Sequence, residues 1–552
     1  MTGSHSAKFG ARLHTNDSTF PQNFYNDSQL KYNFSSGVPT QLTMYADQGS
    51  QQQQHQGIFA LYAQDRWSAG RLTLQGGLRM EYLRDHFGRQ QIGPNIFVPT
   101  ALVFEPQDGP LHQKDLMPRF GAAYDVFGNG KTAAKFFLGK YLTTPNTVDE
   151  WLNYSPAGFG HLVTSTTRAW DDTFFGVGDA RTGNFVANCN LLDPVANGEC
   201  GPMANPNFAK ITPSLLTTDP ETTSGWNTRE YSWDLNASIV QEIFPRVSVE
   251  LAYFRRSWGN MQATINRAWT PGDFDSFVYN VASDPKLPGG GGYPLTFYDV
   301  KPAKFGQFDN YRTFTDNLGG VSNTYNGVDM TVNARLREVT IQGGFSTGNR
   351  VEDDCGLGAL HPDVYIFAPW GGSAPFLADS PFVGGLGQWP AAFCHRESGW
   401  KTNVKGLASY NVPRIDVLVS GTFHSLPYAG ADFPSIAGQS LNAQVQILQM
   451  PFFAPALADT NLGRPLSSGI PVEFLNIVKP GTMYGDRLNG VDLRFGKNVR
   501  YGHTRSLLAL DIFNLANSNT PDGYLQTYGA TYLNPVSITA ARVFKISAQF
   551  DF

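Results

Sequence analysis

The pentapeptide Gly344-Phe345-Ser346-Thr347-Gly348 is the part of the sequence that comes nearest to a catalytic motif. Its pattern, G-x-S-x-G, places a serine nucleophile on a sharp strand-to-helix turn, beside a histidine and an acid supplied by other segments. Here the pentapeptide lies within a stretch that we predict to be a strand, and the histidines are scattered along the chain. The sequence patterns of zinc proteases, phosphate-binding loops and dinucleotide-binding folds are absent. We therefore predict that the chain is not an enzyme and needs no cofactor.

The four cysteines form two local pairs. Cys189 precedes Cys200, and Cys355 precedes Cys394, each pair within one segment rich in Gly, Pro and Asn. The spacing typical of metal-binding cysteines, C-x-x-C, does not occur, so we predict no metal site. We favour two disulfides formed in an oxidising compartment, and free thiols are the alternative.

Aromatic side chains are concentrated in two long irregular segments, 151–185 and 352–397. Aromatic rings on an exposed loop can stack on sugars or cover an apolar ligand. The alternative, which we favour, is that they form a small core that keeps a large loop ordered. The candidate ligand-binding residues under the first interpretation are Trp151, Trp170, Tyr365, Trp370 and Trp389.

The elements that would position these residues are strands with one apolar and one polar face. The last segment, 542–552, alternates in this way, and successive side chains of a strand project to opposite faces. A barrel wall in lipid requires such a surface, although a strand of a soluble sheet would show the same alternation. The apolar face carries Phe544, Ile546, Ala548, Phe550 and Phe552, and the polar face carries Lys545, Ser547, Gln549 and Asp551.

Short and long connections alternate along the chain. Tight turns such as Asn129-Gly130 and Phe244-Pro245-Arg246 join strands into hairpins. The long irregular stretches between hairpins are 87–115, 144–226, 260–323, 352–397, 425–484 and 516–537. With strands near 5–14, 28–35, 39–47 and 55–67 included, about sixteen strands are present, an even number as bacterial barrels require. The pattern predicts an all-β fold, a transmembrane antiparallel β-barrel with long extracellular loops.

Composition agrees with a wall in lipid. Charged residues are 16% of the chain, against about 25% in an average globular protein, and aromatic residues are 13%. No stretch approaches the roughly 18 apolar residues of a membrane helix, so insertion would have to use strands. The net charge is -5, and acidic and basic residues are mixed along the chain. No cluster of Lys and Arg of the kind that binds nucleic-acid phosphates is present, so nucleic acid is excluded as a partner.

Six short motifs occur along the chain in an order and spacing that are informative together. They are Leu61–Trp67, Gly76–Tyr82, Met117–Gly121, Asn326–Asp329, Asp511–Asn517 and the terminal Phe552. Together they cover most of the hairpins, and they resemble those of TonB-dependent outer-membrane receptors of the Oar-like type. The last strand with its terminal Phe552 resembles the signal that the barrel-assembly machinery reads.

The resemblance implies more than residues 1–552 contain. Such receptors have an amino-terminal plug with a TonB-contacting segment and a barrel of 22 strands. No plug or signal peptide is recognisable here, so we expect 1–552 to be a single outer-membrane β-barrel domain, the carboxy-terminal portion of a longer barrel. The lumen-facing residues that would touch the plug or line the ligand path are Arg79, Glu81, Glu250, Asp329, Arg335, Asp492 and Arg494.

In the complete family member, the function implied is energised uptake of a large, unidentified substrate across the outer membrane of a Gram-negative bacterium. The expected partners are outer-membrane lipid, the barrel-assembly machinery, the substrate, and the TonB complex through the plug only. Two alternatives stay open. One is a surface-exposed barrel for adhesion or structure without energised transport, and the other is a soluble secreted all-β protein.

Overall fold

A computed structural model of the chain describes residues 4–21, 29–35, 37–46, 51–143, 154–157, 161–212, 216–366, 388–427, 444–448, 462–464, 466–467, 472–501 and 504–551. Among these residues, no helix is long and apolar enough to cross a membrane.

One large antiparallel sheet dominates the structure. Fourteen of its strands follow the order of the chain, each hydrogen-bonded to the next. They are β1 (Ser4–Pro21), β2 (Gln51–Ala69), β3 (Leu72–Phe87), β4 (Gln107–Asp125), β5 (Thr132–Leu142), β6 (Tyr231–Phe244), β7 (Val247–Gly259), β8 (Ser322–Arg335), β9 (Val339–Asp353), β10 (Lys401–Val412), β11 (Val417–Leu426), β12 (Leu488–Tyr501), β13 (Thr504–Phe513) and β14 (Val543–Asp551). Because every neighbour is the next strand, the sheet is a simple up-and-down meander.

Two short strands complete a sheet of sixteen. Ser224–Trp226 runs parallel to β4, and His395–Glu397 pairs with the end of β9. The predicted number of about sixteen is confirmed, but the membership of the sheet differs from the prediction.

The predicted wall strands near 28–35 and 39–47 were assigned wrongly. They form Leu30–Ser35 and Val38–Tyr45, which pair with each other and with Ser165–Ala169 in a separate small sheet. Leu42 and Met44 are fully buried there against other loop residues. The error has a physical reason, since a strand packed on a loop core alternates apolar and polar residues just as a strand in lipid does.

The predicted alternation of short and long connections is confirmed. Within the wall, the short connections are 70–71, 126–131, 245–246, 336–338, 413–416 and 502–503, and the long ones are 22–50, 88–106, 143–230, 260–321, 354–400, 427–487 and 514–542. In the turn 126–131, the Asp125 carboxylate accepts the backbone N–H groups of Gly128 and Gly130 at 2.9 and 2.8 Å. Both glycines have a φ of +72°, a conformation in which a side chain is strained.

The two faces of the sheet differ in chemistry. On the outer face, large apolar side chains are exposed, among them Leu251 (48%), Phe423 (43%) and Ile546 (86%). The opposite face, which we call the inner face, carries polar residues such as Glu250 and Asp329. Directly opposed residues of adjacent strands share a face, and Leu251 is opposed by Met330, which in turn is opposed by Phe345. An exposed apolar band of this kind is the lipid-contacting surface of a barrel wall.

The long connections contain their own secondary structure. The short helices are α1 (Pro220–Thr223), α2 (Cys355–Leu360) and α3 (Asp363–Ile366). Single 3-10 turns occupy Pro271–Asp273, Pro288–Gly290, Thr315–Leu318 and Ala391–Phe393. The further strands are Gln90–Ile92, Leu102–Phe104, Thr217–Thr218, Gln262–Asn266, Phe274–Asn280, Pro294–Val300, Asn310–Phe314, Gln444–Leu448, Val472–Asn476, Pro521–Tyr524 and Pro535–Ile538.

The two larger hydrophobic cores among the described residues lie within the loops rather than in the sheet. The first loop core joins the connections 22–50, 88–106 and 143–230 through Met44, Ala46, Ile92, Phe97, Val98, Ala157, Leu162, Val163, Met203 and Phe208. The second loop core joins 260–321, 354–400, 427–487 and 514–542, and its buried members include Phe277, Phe297, Tyr365, Leu475 and Tyr532. Each set of loops is therefore held together by contacts between different hairpins.

Candidate functional site: the inner face of the sheet and the loops above it

The predicted aromatic ligand-binding residues are not available to a ligand in this structure, as far as it describes them. Trp170, Tyr365 and Trp389 are only 2%, 4% and 6% exposed. Trp170 packs with Leu42 and Cys200, and the other two belong to the second loop core. Burial in a core is the interpretation favoured above, and the structure agrees with it for these three residues. A ligand-binding role for them stays a prediction. Trp151 and Trp370 lie outside the described residues, as does Phe552.

Both predicted disulfides are present. Cys189 is bonded to Cys200, and Cys355 is bonded to Cys394. The second bond connects the residue that opens α2, just after β9, with the residue just before the short strand His395–Glu397. It therefore closes the connection 354–400 at its base, next to the wall.

A buried network of charges lies at the same base. Arg396 donates to the Asp354 carboxylate at 2.8 Å, and the Tyr365 hydroxyl donates to the same group at 3.3 Å. Arg350 and Glu352, on β9, form an ion pair of 3.1 Å beside it. The side chains of all four charged residues are at most 10% exposed. Burial and the neighbouring Asp354 raise the pKa of Tyr365, so its hydroxyl stays protonated and remains a donor.

Asp363 makes this loop sensitive to pH. Its carboxylate, on α3, accepts the backbone N–H of Asn266 at 3.0 Å, and the residue is 7% exposed. Burial raises the pKa of Asp363 from 3.8 to about 6. The folded loop therefore binds the proton more tightly than the unfolded loop, and its stability falls as the pH rises from 3.8 to about 6. Above that range the buried charge of Asp363 lowers the stability of the folded loop by at most about 3 kcal/mol.

We expect Asp363→Asn to remove this penalty, because an amide oxygen can accept the same hydrogen bond without carrying a charge. The predicted gain in local stability above pH 6 is about 1–3 kcal/mol, seen as roughly 10- to 100-fold slower hydrogen exchange of the Asn266 amide. Exchange should be compared with that of the wild type at each pH. Asp316→Asn, at an exposed acid of the connection 260–321, is the control and should change nothing. An unchanged pH profile in Asp363→Asn would contradict the assignment.

The residues predicted to face the lumen lie on the inner face. Glu81 is opposed by Asp115, Glu250 by Thr331, Asp329 by Ser346, and Asp492 by Thr422. Arg494 is opposed by Asp511 and binds its carboxylate through both Nε and Nη2. Arg79 is two residues before Glu81 on β3, and Arg335 ends β8 beside a short turn. Their contact with a plug or a ligand stays a prediction.

One loop residue is fixed to the inner face by buried charges. Arg229, which precedes β6, binds Asp115 through Nε and Glu81 through Nη2, each at 2.7 Å. Arg79 binds the other oxygen of Glu81, also at 2.7 Å. The side chains of Arg229, Asp115 and Glu81 are 6%, 0% and 13% exposed. We call these four residues the Arg229 cluster, and it ties the end of the connection 143–230 to β3 and β4.

Two adjoining cavities lie along the inner face. One has a volume of about 420 Å³ and is lined by residues of β6 to β9, including Asp234 and Tyr325. The other, of about 860 Å³, is lined by residues of β8 to β11, including Lys405 and His424. Asp329 and Ser346 line both. The two cavities together, which we call the inner groove, extend across six neighbouring strands.

The inner groove combines aromatic and charged surfaces. The guanidinium groups of Arg350 and Arg256 lie 4.6 and 5.7 Å from the centre of the Trp258 ring. Arg256 also holds Asp234 with two hydrogen bonds, of 2.7 and 2.5 Å. At the other end, Lys405 is directly opposed by His424. The groove can therefore offer stacking, cationic and hydrogen-bonding contacts to a polar partner.

The pentapeptide that matches a nucleophile motif is part of this wall. Residues 344–348 lie inside β9, paired with β8 on one side and β10 on the other. The backbone is thus continuous strand where the motif requires a strand-to-helix turn. Ser346 is a groove-lining residue on the inner face.

Several of these residues escape sequence reasoning. Arg229 and Asp115 are 114 positions apart, and no local pattern links them. Arg256 and Trp258 could have been found, since they continue the polar positions of β7 toward its long-loop end. Arg350 occupies an inner-face position of β9. The alternating pattern permits a polar residue there but does not predict that it is an arginine.

The model of the outer membrane beta barrel domain family matches residues 1–531. The chain belongs to this family. Membership establishes that the barrel resides in the outer membrane of a bacterium, with its apolar outer face in lipid. The polar inner face and the inner groove then belong to the inside of the wall.

Solved structures of outer-membrane proteins also match the chain, at low identity. The outer membrane transporter YddB from Escherichia coli is 9% identical, with a TM-score of 0.39, over 98% of this chain and 66% of that chain. The ferric-catecholate import receptor Fiu from E. coli K12 is 10% identical, with a TM-score of 0.40, over 99% and 55%. The FrpB iron transporter from Neisseria meningitidis is 9% identical, with a TM-score of 0.44, over 98% and 52%. The barrel thus spans between half and two thirds of these proteins. No curated protein matches the chain.

Proposed function

We propose that the chain forms the wall and outer loops of a TonB-dependent receptor of the Oar-like type. In this proposal the complete receptor takes up a substrate too large for porins, and the TonB complex drives release through a plug that residues 1–552 do not include. The 22-stranded barrel of such a receptor would require further strands beside those described here. No enzymatic step is involved.

The inner groove is the observation that carries the proposal. A barrel with a purely structural role can fill its interior with packed side chains. This wall instead keeps cavities of about 420 and 860 Å³, lined with Arg, Lys, His, Asp and Trp side chains. Such a surface suits transient contact with a plug or a polar substrate, because its charged groups remain partly accessible. The long loops, which are held together by their own hydrophobic cores, also support the proposal, because ordered loops can form a selective entrance to the barrel.

The test asks whether uptake requires TonB and whether filling the inner groove abolishes it. Cells expressing the complete gene product, with and without functional TonB, would be grown in complex medium, and depletion of medium components would be measured by mass spectrometry. We expect components that only TonB-competent cells deplete. Ser346→Trp should abolish most of this depletion because it fills the groove shared by both cavities.

The matched control is Thr347→Trp, which puts the same side chain on the outer face one residue later. It should leave uptake unchanged, since tryptophan is tolerated in a lipid-facing wall. Depletion that does not require TonB would overturn the proposal. Loss of cell adhesion without any change in uptake would instead support a structural or adhesion barrel.

A further inference from the structure

Four neighbouring strands carry a single row of histidine and aspartate side chains. Asp17 on β1 is directly opposed by His55 on β2, His55 by His86 on β3, and His86 by Asp108 on β4. Opposed residues share a face of the sheet, so all four side chains project from the same side. The face is the outer one, because β3 also projects Met80 and Tyr82 from it at alternate positions.

Each histidine is oriented by a carboxylate. His55 Nδ1 lies 2.6 Å from Asp17, and His86 Nδ1 lies 3.0 Å from Asp108. A carboxylate accepts hydrogen bonds, so each neutral imidazole carries its proton on Nδ1 and presents the lone pair of Nε2. This is the arrangement in which histidines ligate metals, with the second nitrogen held by a carboxylate.

The spacing of the two rings suits one shared ion. Their centres are 6.1 Å apart, and their planes are inclined by 34°. With a metal–nitrogen bond of about 2.1 Å, each ring centre lies roughly 3.2 Å from the ion, so two rings on one ion are at most about 6.4 Å apart. The observed separation is just below that limit, so one ion between the rings would have the two nitrogens on nearly opposite sides, and the proposal requires both Nε2 atoms to turn toward it.

The electrostatics and the exposure agree with a cation site. The two carboxylates, Asp17 and Asp108, make the row attractive to a cation. His55 and His86 are 44% and 43% exposed, which leaves room for the ion and its waters. The cation nearest along β3 on this face is Arg84, which is opposed by His112 in the next row.

The row lies beyond the apolar band of the wall. His86 follows Tyr82 by four residues, a distance of about 14 Å along the strand at about 3.4 Å per residue. Arg84 lies between them, and a charge of this kind is costly inside the hydrocarbon layer. The row is on the long-loop side of Tyr82, so ions in the external medium can reach it.

We propose that His55 and His86 chelate one divalent transition-metal ion, Cu²⁺, Ni²⁺ or Zn²⁺, through their Nε2 atoms on the outer surface of the barrel. Asp17 and Asp108 orient the two ligands, and water completes the coordination. Among the described residues, no group of three or more His, Cys, Asp or Glu side chains is placed to hold a metal ion. The proposal therefore rests on two direct protein ligands. The proposal does not depend on the proposed uptake function.

The test is titration of the purified, detergent-folded chain with Cu²⁺ and Zn²⁺. We expect a saturable site of one ion per chain, and an electron paramagnetic resonance spectrum of the Cu²⁺ form that shows two coupled imidazole nitrogens. His55→Gln and His86→Gln should each weaken binding at least about tenfold, and Asp17→Asn should weaken it about tenfold through loss of orientation.

The matched control is His5→Gln. His5 Nδ1 lies 2.7 Å from Asp65, the same carboxylate–histidine contact, but the residue opposed to it is Trp67 rather than a second histidine. This variant should retain the site. Binding that persists unchanged in both His55→Gln and His86→Gln, or a spectrum with one nitrogen, would overturn the proposal. Heat-modifiable migration of each variant on a gel checks that the barrel has folded.

Discussion

Replacing Arg229 by methionine should lower the free energy of unfolding of the barrel by about 3–5 kcal/mol. The methionine side chain fits a similar space but leaves Asp115 without its cationic partner and deprives Glu81 of one of two. Asp115 is fully buried, so water cannot compensate for the loss. A buried charge whose partner is removed costs far more than the intact pair contributes.

Urea-induced unfolding in lipid vesicles, followed by tryptophan fluorescence, measures this effect. Two comparisons make it specific. Arg79→Met removes a partner that is 23% exposed and should cost only about 1 kcal/mol, because Glu81 keeps Arg229. Adding Asp115→Asn to Arg229→Met should recover a large part of the loss, because it removes the unpaired charge. A change below about 1 kcal/mol in Arg229→Met would show that the cluster is not the strong attachment described here.

Met330→Arg should prevent or strongly impair assembly of the barrel. Met330 lies on the outer face of β8 between the apolar residues Leu251 and Phe345 of the two adjacent strands. An arginine at the middle of a lipid-facing strand costs about 2–4 kcal/mol. Heat-modifiable migration on a gel, with the yield of folded protein, provides the measurement.

Thr331→Arg is the control for this prediction. Thr331 is the next residue of β8 and lies on the inner face, opposed by Glu250. The same arginine is near a carboxylate there rather than in lipid, so folding should be nearly normal. Equal yields of the two variants would contradict the assignment of the faces.

The wall of the barrel could be predicted because its physical requirements are local. A strand in lipid must present an apolar residue at every second position, as Phe544, Ile546, Ala548 and Phe550 do, and a tight hairpin needs residues such as Asn129-Gly130. The order of short and long connections follows from the same local marks, and the structure has that order. The family was therefore accessible from residues close together in the chain.

The small sheet of Leu30–Ser35 and Val38–Tyr45 shows where this reasoning ends. Its alternation is real, but alternation reports only that one side of a strand is apolar. Whether that side meets lipid or a loop core depends on residues far along the chain, here Leu162 and Met203. The role of the aromatic residues Trp170, Tyr365 and Trp389 could not be predicted for the same reason, and their burial favours packing in a loop core.

What the sequence determined by itself is the all-β class of fold, the two faces of each wall strand and the order of short and long connections, because these depend on side chains a few positions apart. Only the tertiary structure decided which distant residues meet. It brought Arg229 to Asp115, joined the loops into two cores, opened the inner groove and aligned His55 with His86. Such contacts depend on the register between strands. Because the residues in contact are separated by tens of positions, no periodic pattern in the sequence reveals them.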